Sequence, residues 1–414
     1  MNTENLLSEA SVLYDKLLEH RRFLHTHPEI GFELKETYQY VYDALVSMGY
    51  APHAYGKCGL IAICGHKEKG KTILLRADMD ALAIKEEADI SYPATNGNMH
   101  ACGHDMHTTM LLGAAQLLKN HEDDLVGAIV LCFQPSEETL EGAKNMIVSG
   151  VLRDTTPDAA LMIHITVGMP FDTGTIVICD GGISAPAADY FEIKIQGKGC
   201  HGAMPQMGVD PITVAAHIVT ALQEIHAREL SMADDAVLTI GKLHAGNASN
   251  VIPDDALLGG TIRAYTEETR SLIKTRMEEI ITGMASLFRA NATLTFTSEC
   301  PTLLNDEQLS KDITKYMKEL LGPQKAFTKS ELTGLTGNIK VTKATGSEDF
   351  AYFSHEMPSI MLAIAVGKPE DGYIYPLHHP KAKFDEASLS IGSAVYAYSA
   401  IRWLEEHSKS EPPA

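Results

Sequence analysis

Four short segments concentrate side chains that bind cations: Arg76-Ala-Asp78-Met-Asp80, His100-Ala-Cys102-Gly-His104-Asp105-Met-His107, Gln134-Pro-Ser-Glu137-Glu138, and His164. Cys102 and His104 stand two residues apart, so a thiolate and a neutral imidazole can reach one ion, and both are good ligands for zinc and similar metals. A cysteine taken alone is more often a small buried apolar residue. Four His or Cys side chains within the eight residues 100–107 shift that balance towards a metal. His100 and His107 are equally compatible with supporting or capping roles, and Asp105 with a first-turn carboxylate facing a helix dipole. Adjacent side chains diverge, so in Glu137-Glu138 one carboxylate can bind an ion while the other meets the water that ion holds. By itself such a pair is an ordinary solvated feature, and His164 by itself an ordinary core histidine. Gly346-Ser-Glu-Asp-Phe350, a loop entering a helix, and Leu377-His378-His379-Pro380 add modest signals of the same kind.

The elements needed to gather these segments are visible in the apolar pattern. Leu60–Cys64, Thr72–Leu75, Ala128–Phe133 and Ala159–Ile163 are short apolar runs of strand length. Helical spacing appears in residues 5–20, around Tyr38–Leu45, and from Thr108 to Lys119. Three of the four ligand-rich segments follow strand runs directly, which is where open α/β sheets place their ligands. The pattern changes near residue 184. Tyr190–Ile195, Ile212–Ile225, Val237–Ile240, Leu257–Ile262, Glu267–Leu287 and Ala292–Thr297 read in order as β-α-β-β-α-β, the ferredoxin-like arrangement. After residue 300 the first style returns, with a helix near 307–320, a strand Ile360–Val366 and a closing helix from Asp385 to about Glu405. The expected fold is α/β: a mostly parallel mixed sheet flanked by helices, formed by residues 1–183 plus 299–414, with a ferredoxin-like domain of residues 184–298 inserted.

Composition narrows the partners. A chain of 414 residues is too long for one ordinary core. With 45% hydrophobic and 21% charged residues it reads as a soluble globular protein. A formal charge of −20 and the absence of a basic stripe argue against nucleic acid and against anionic lipid. Met1–Ser11 does not read as a signal peptide, and no apolar run approaches the roughly 18 residues of a membrane span. Seven cysteines without framework spacing fit a reducing compartment, so a cytoplasmic protein is expected.

Taken together, these segments resemble the aminoacylase/carboxypeptidase family of co-catalytic metallohydrolases. The nearest branch contains hippurate hydrolase, auxin-conjugate hydrolases and bacterial N-acyl-amino-acid deacetylases. The similarity runs almost end to end, through His25-Thr-His-Pro-Glu29, Arg76–Leu82, Met99–His107, Phe133–Glu138 and His164. It continues through Gly197–Pro205, Asn250-Val-Ile-Pro253, Gly260-Thr-Ile-Arg263, Gly346–Phe350 and His378-His-Pro380. The resemblance implies two divalent ions per subunit, zinc or manganese first, cobalt or nickel as alternatives. Their implied ligands are Cys102, His104, Glu138, His164 and His378, the last chosen over His379 because it stands two before the proline. Glu137 would be the general base and Asp80 the acidic group that orients the site. His201 would polarise the substrate carbonyl, often across a dimer interface, while Asn250 and Arg263 would bind substrate, Arg263 through a carboxylate. The inserted domain would act as lid and dimerisation module. Ala83, Cys200 and Gln206 depart from residues usual in the family and bear on substrate preference.

The activity so implied is hydrolysis of the amide bond of small N-acyl amino acids. The family also holds dipeptidases and carboxypeptidases. Two other readings compete: a cysteine hydrolase with Cys102 as nucleophile and His104 as base, and a catalytically silent binding protein for acylated amino acids.

Overall fold

The computed structural model describes residues 5–335 and 343–408. Within them the chain divides into two compact units, one of residues 5–182, 304–335 and 352–408, the other of residues 183–303 and 343–351. The apolar runs of the first unit become an eight-stranded sheet. Its order is His53–Tyr55, Gly59–Gly65, Ala128–Gln134, Thr72–Asp78, Ala159–Thr166, Ser359–Ala365, Ile176–Ile178 and Ala326–Thr328. The four central strands run parallel. Gly59–Gly65 joins Ala128–Gln134 antiparallel, and Ile176–Ile178 joins Ser359–Ala365 antiparallel. Parallel strands covered on both faces read as unbroken apolar runs, and Thr72–Asp78 and Ala128–Gln134 are indeed buried at every position. The mostly parallel mixed sheet expected from the sequence is therefore observed, although residues 299–303 and 343–351, expected in this unit, belong to the other.

Helix His104–Asn120 crosses one face of this sheet, and Ser388–His407 packs along it. Their close approach depends on small residues: a Cβ on Gly113 would sit 2.2 Å from Ser393 Oγ, and one on Gly392 only 1.9 Å from Met110 Sδ. The helix expected from Thr108 begins one turn earlier, at His104. Gly103 supplies the stop at its N-terminus, with φ of 82°, and a Cβ there would lie 2.1 Å from Ile165 Cδ1. His104 is thus the first helical residue and not part of the preceding loop.

The second unit is the β-α-β-β-α-β arrangement read from the sequence. Strands Ala236–Ala245, Asp255–Ala264, Ala187–Gln196 and Asn291–Cys300 lie in that order, each antiparallel to its neighbour. Helices Pro211–Glu224 and Glu267–Leu287 bury Val214, Ile218, Leu222, Ile273, Met277 and Ile281 against Phe191, Ile193 and Ile195. Both helices start on side-chain caps, Asp210 for the first and Thr266 for the second. Asp189 is fully buried in this sheet and is held bidentately by Arg270 at 2.6 and 2.8 Å. Among the described residues no helix is long and apolar enough to cross a membrane.

Candidate metal centre

The carboxyl ends of the parallel strands carry the site. Asp80 lies two residues beyond Thr72–Asp78, Glu137 and Glu138 follow Ala128–Gln134, and His164 lies near the end of Ala159–Thr166. Sheet register sets Gln134 beside Asp78, and Met162 beside Arg76. His164 is therefore level with Gln134, not with Glu138. Glu138 reaches the cluster by a turn, in which Ser136 takes a φ of 59°.

One residue organises that turn. The Asp80 carboxylate accepts the backbone N–H groups of Glu137 at 2.9 Å and Glu138 at 3.1 Å. Its main-chain carbonyl accepts His104 Nδ1–H at 2.8 Å. The proton of His104 is thereby fixed on Nδ1, and Nε2 faces the cluster. His164 follows the same logic: Nδ1–H donates to the Ile165 carbonyl at 2.7 Å, leaving Nε2 3.5 Å from Cys102 Sγ. Paired orientation of this kind is the usual way ligating histidines are aimed.

Potential ligand atoms converge in overlapping triads, each within 4.8 Å of one another: Cys102, His104 and His164; Cys102, Glu138 and His378; His104, Glu137 and Glu138. Cys102 belongs to two of them. His378 Nε2 lies 3.5 Å from Glu138 Oε1. The backbone of His378 is left-handed, with φ of 63°, and its N–H donates to the Ala101 carbonyl. His379 instead stacks on Tyr375 and accepts the Lys381 N–H.

A cation fits these donors. His104 Nε2 and Glu138 Oε1 are buried without any hydrogen-bond partner, a costly condition that a metal ion relieves. The mixture of one thiol, three imidazoles and a carboxylate is a transition-metal set. Burial pushes the Cys102 thiol up, an effect that His104 opposes and Glu138 and Glu137 reinforce. A nucleophilic cysteine needs the opposite shift. Burial likewise pushes Glu138 up to about 7, against the pull of His104.

Beneath the triads lies a layer in which the sequence allowed His107 a supporting role and singled out neither Arg76 nor Asp78. Arg76 Nη1 and His107 Nδ1 both donate to Asp78, at 2.7 and 2.6 Å. His107 Nε2 accepts the Ile165 N–H at 2.9 Å, so the ring is neutral with its proton on Nδ1. Burial pushes its pKa down to about 4, although Asp78 pulls the other way. Burial raises the Asp78 pKa, but His104, Arg76 and His107 outweigh it and hold the carboxyl well below the usual range. A signal was present: Arg76 and Asp78 share a strand face at i, i+2, and His104 and His107 share a helix face at i, i+3.

The remaining expected site residues belong to the second unit. His201, in the two-residue strand Cys200–His201, pairs with Val251, and the Asn250 carbonyl accepts the Gly202 N–H, so His201 and Asn250 are neighbours. Both side chains are exposed. Arg263 lies near the far end of Asp255–Ala264, where it stacks over Tyr190 and borders a cavity of about 270 Å³ with Tyr265, Asp234 and Asp235. Asp255 pairs with Gln196 and Arg263 with Ala188, eight residues further along, a separation of roughly 26 Å at strand rise. The structure joins His201 to Asn250 but not to Arg263.

Comparison with known proteins agrees with this architecture. The signature of peptidase family M20/M25/M40 matches residues 74–402. IAA-amino acid hydrolase ILR1-like 2 of Arabidopsis thaliana is 36% identical over 405 residues, covering 96% of this chain and 88% of the relative. N-acetyl-L-cysteine deacetylase of Bacillus subtilis (strain 168) is 35% identical over 404 residues, covering 97% and 91%. The crystal structure of the Bacillus subtilis YXEP protein, described as a dinuclear metal binding peptidase from the M20 family, superimposes with a TM-score of 0.75. It is 29% identical and covers 95% of this chain and 99% of that one. The chain thus belongs to peptidase family M20/M25/M40 and is a metal-dependent amidohydrolase of that family.

Proposed function

We propose that the substrate is a small N-acyl amino acid, acetyl, benzoyl or similar, and that two divalent ions serve its hydrolysis. Cys102, His104, Glu138, His164 and His378 would hold them, since their donor atoms meet in the triads Cys102–His104–His164 and Cys102–Glu138–His378. The observation that carries this reading is the pair of donor triads meeting at Cys102 beside Glu137. Zinc or manganese suits a set with one thiolate and three imidazoles, and cobalt or nickel is tolerated by the same donors. When bound, such ions supply an acidified water and a polarised carbonyl.

The chain's own residues do the rest. Glu137 has an oxygen 3.9 Å from His104 Nε2, at the edge of the cluster, and is held there by the bond of its N–H to Asp80. It takes the proton of the attacking water and returns it to the departing amine nitrogen. His201 donates to the carbonyl oxygen as charge builds on it. Asn250 and Arg263 hold the substrate, Arg263 by a bidentate grip on its carboxylate.

Arg263 lies eight residues along its strand from Asp255, the end nearer in sequence to Asn250, and that separation of roughly 26 Å exceeds what a small acyl amino acid spans. A homodimer built through the inserted unit, in which a second copy supplies one of the two sets, reconciles them. The cytoplasm is the matching compartment, since all seven cysteines remain thiols.

The test is a chelator-stripped enzyme assayed against N-acetyl- and N-benzoyl-amino acids and dipeptides, with zinc, manganese, cobalt or nickel added back. Activity is expected to vanish on stripping, return with metal and favour acyl amino acids. Turnover that survives stripping overturns the metal reading, and faster dipeptide cleavage assigns a dipeptidase.

A further inference from the structure

His25 opens the segment His25-Thr-His-Pro-Glu29, which the catalytic reading leaves without a task. Its ring is 2% exposed and lies between two fully buried carboxylates. Nδ1 is 2.7 Å from Asp105 Oδ2, and Nε2 is 3.0 Å from Glu86 Oε1. A carboxylate only accepts, so both ring nitrogens carry protons. Arg21 Nε approaches the same Asp105 oxygen at 3.1 Å, and Arg21 and Arg22 both reach Glu386. Three cations, Arg21, Arg22 and His25, thus balance three anions, Asp105, Glu86 and Glu386, and only a protonated His25 makes the group neutral.

Each arm of His25 leads to a segment that carries proposed ligands. Asp105 follows His104 in the first turn of its helix and accepts the Met106 N–H. Glu86 accepts the Ala94 N–H, and its neighbour Glu87 donates its own N–H to the Pro380 carbonyl at 2.7 Å, two residues after His378. His378 in turn donates its N–H to Ala101. A closed loop of contacts therefore runs from His25 to the Cys102–His104 turn, to the His378 turn, and back through Glu86.

We propose that His25 is a positioning residue for the metal centre, clamping the turn that presents Cys102 and His104 against the turn that presents His378. The inference rests on the ligand assignment above. Its natural effect is on metal affinity, because groups that orient ligands typically govern affinity by 10–100-fold.

The experiment titrates zinc against a chromophoric chelator, and cobalt by its visible absorption, into stripped wild-type, His25→Gln and Glu86→Gln proteins. In His25→Gln the dissociation constant of at least one ion is expected to rise about ten-fold or more, with altered cobalt bands. Glu86→Gln, which keeps an acceptor for His25, is expected to change both in the same direction by less, and decides the question should His25→Gln not fold. Affinities and cobalt spectra matching wild type overturn the inference, whatever happens to thermal stability. A wild-type protein that takes up no ion overturns the proposed function, and this inference with it.

Discussion

The two units treat their candidate site residues in opposite ways. In the sheet-and-helix unit, Asp78, Asp80, His104 and His107 are essentially without solvent access, and each is fixed by named partners. In the inserted unit, His201 and Asn250 are exposed on a two-residue strand and its neighbouring turn. The first arrangement sets geometry before any ligand arrives, at the cost of burying charge. The second leaves side chains free to meet a substrate. On the proposed assignment, metal binding and substrate handling rest on different physical principles, and the two should respond differently to substitution.

The sharpest separation is expected from Glu137→Gln. Loss of a general base typically costs about 10²–10⁴ in turnover, and since Glu137 is not among the proposed ligands, metal content measured by atomic absorption should match wild type. Loss of metal as well as turnover would place Glu137 among the ligands. His201→Ala tests the other unit: about 10²–10³ in kcat, with metal affinity and melting temperature unchanged because the side chain is exposed. Turnover within a few-fold of wild type would remove His201 from the chemistry. Asp78→Asn should show the reverse pattern, a metal affinity lowered about 10–100-fold, with reduced stability because Arg76 loses its ionised partner. Trp403, the only tryptophan in the chain and part of the first unit, reports that unfolding by fluorescence.

The smallest effect concerns burial without metal chemistry. Burial, with Lys16 adding, pushes His20 down to about 4. Between that value and the ordinary 6.5, the unfolded chain binds the proton and the folded one does not, so stability falls as pH drops through this window. His20→Phe should lose less stability than wild type between pH 6.5 and 4, measured by denaturant titration at each pH. An unchanged slope would show that His20 is protonated in the fold.

Much of this division was legible in the sequence. The unbroken apolar runs Thr72–Leu75, Ala128–Phe133 and Ala159–Ile163 announced the central strands because both their faces are covered. The alternation of Tyr190–Ile195 announced a sheet with one open face. Three-residue strands such as Ile176–Ile178 and Ala326–Thr328 are too short to show any period. His378 could be told from His379 by resemblance alone, since the distinction lies in a left-handed backbone and a bond to Ala101, and neither leaves a trace in residue type. Asp105 read as a first-turn carboxylate, and it is one, but it is also the partner of His25 and Arg21, some 80 positions earlier in the chain. Contacts at that separation have no local pattern to betray them.

Asp80 carries a consequence for anyone wishing to retune this enzyme. Because its carboxylate anchors both Glu137 and Glu138, on the same residue whose carbonyl anchors His104, a single side-chain change there releases two neighbours at once beside the third. Libraries aimed at a new acyl group are therefore best left silent at this aspartate and concentrated around Cys200, Gln206 and Asn250, whose side chains no such knot constrains.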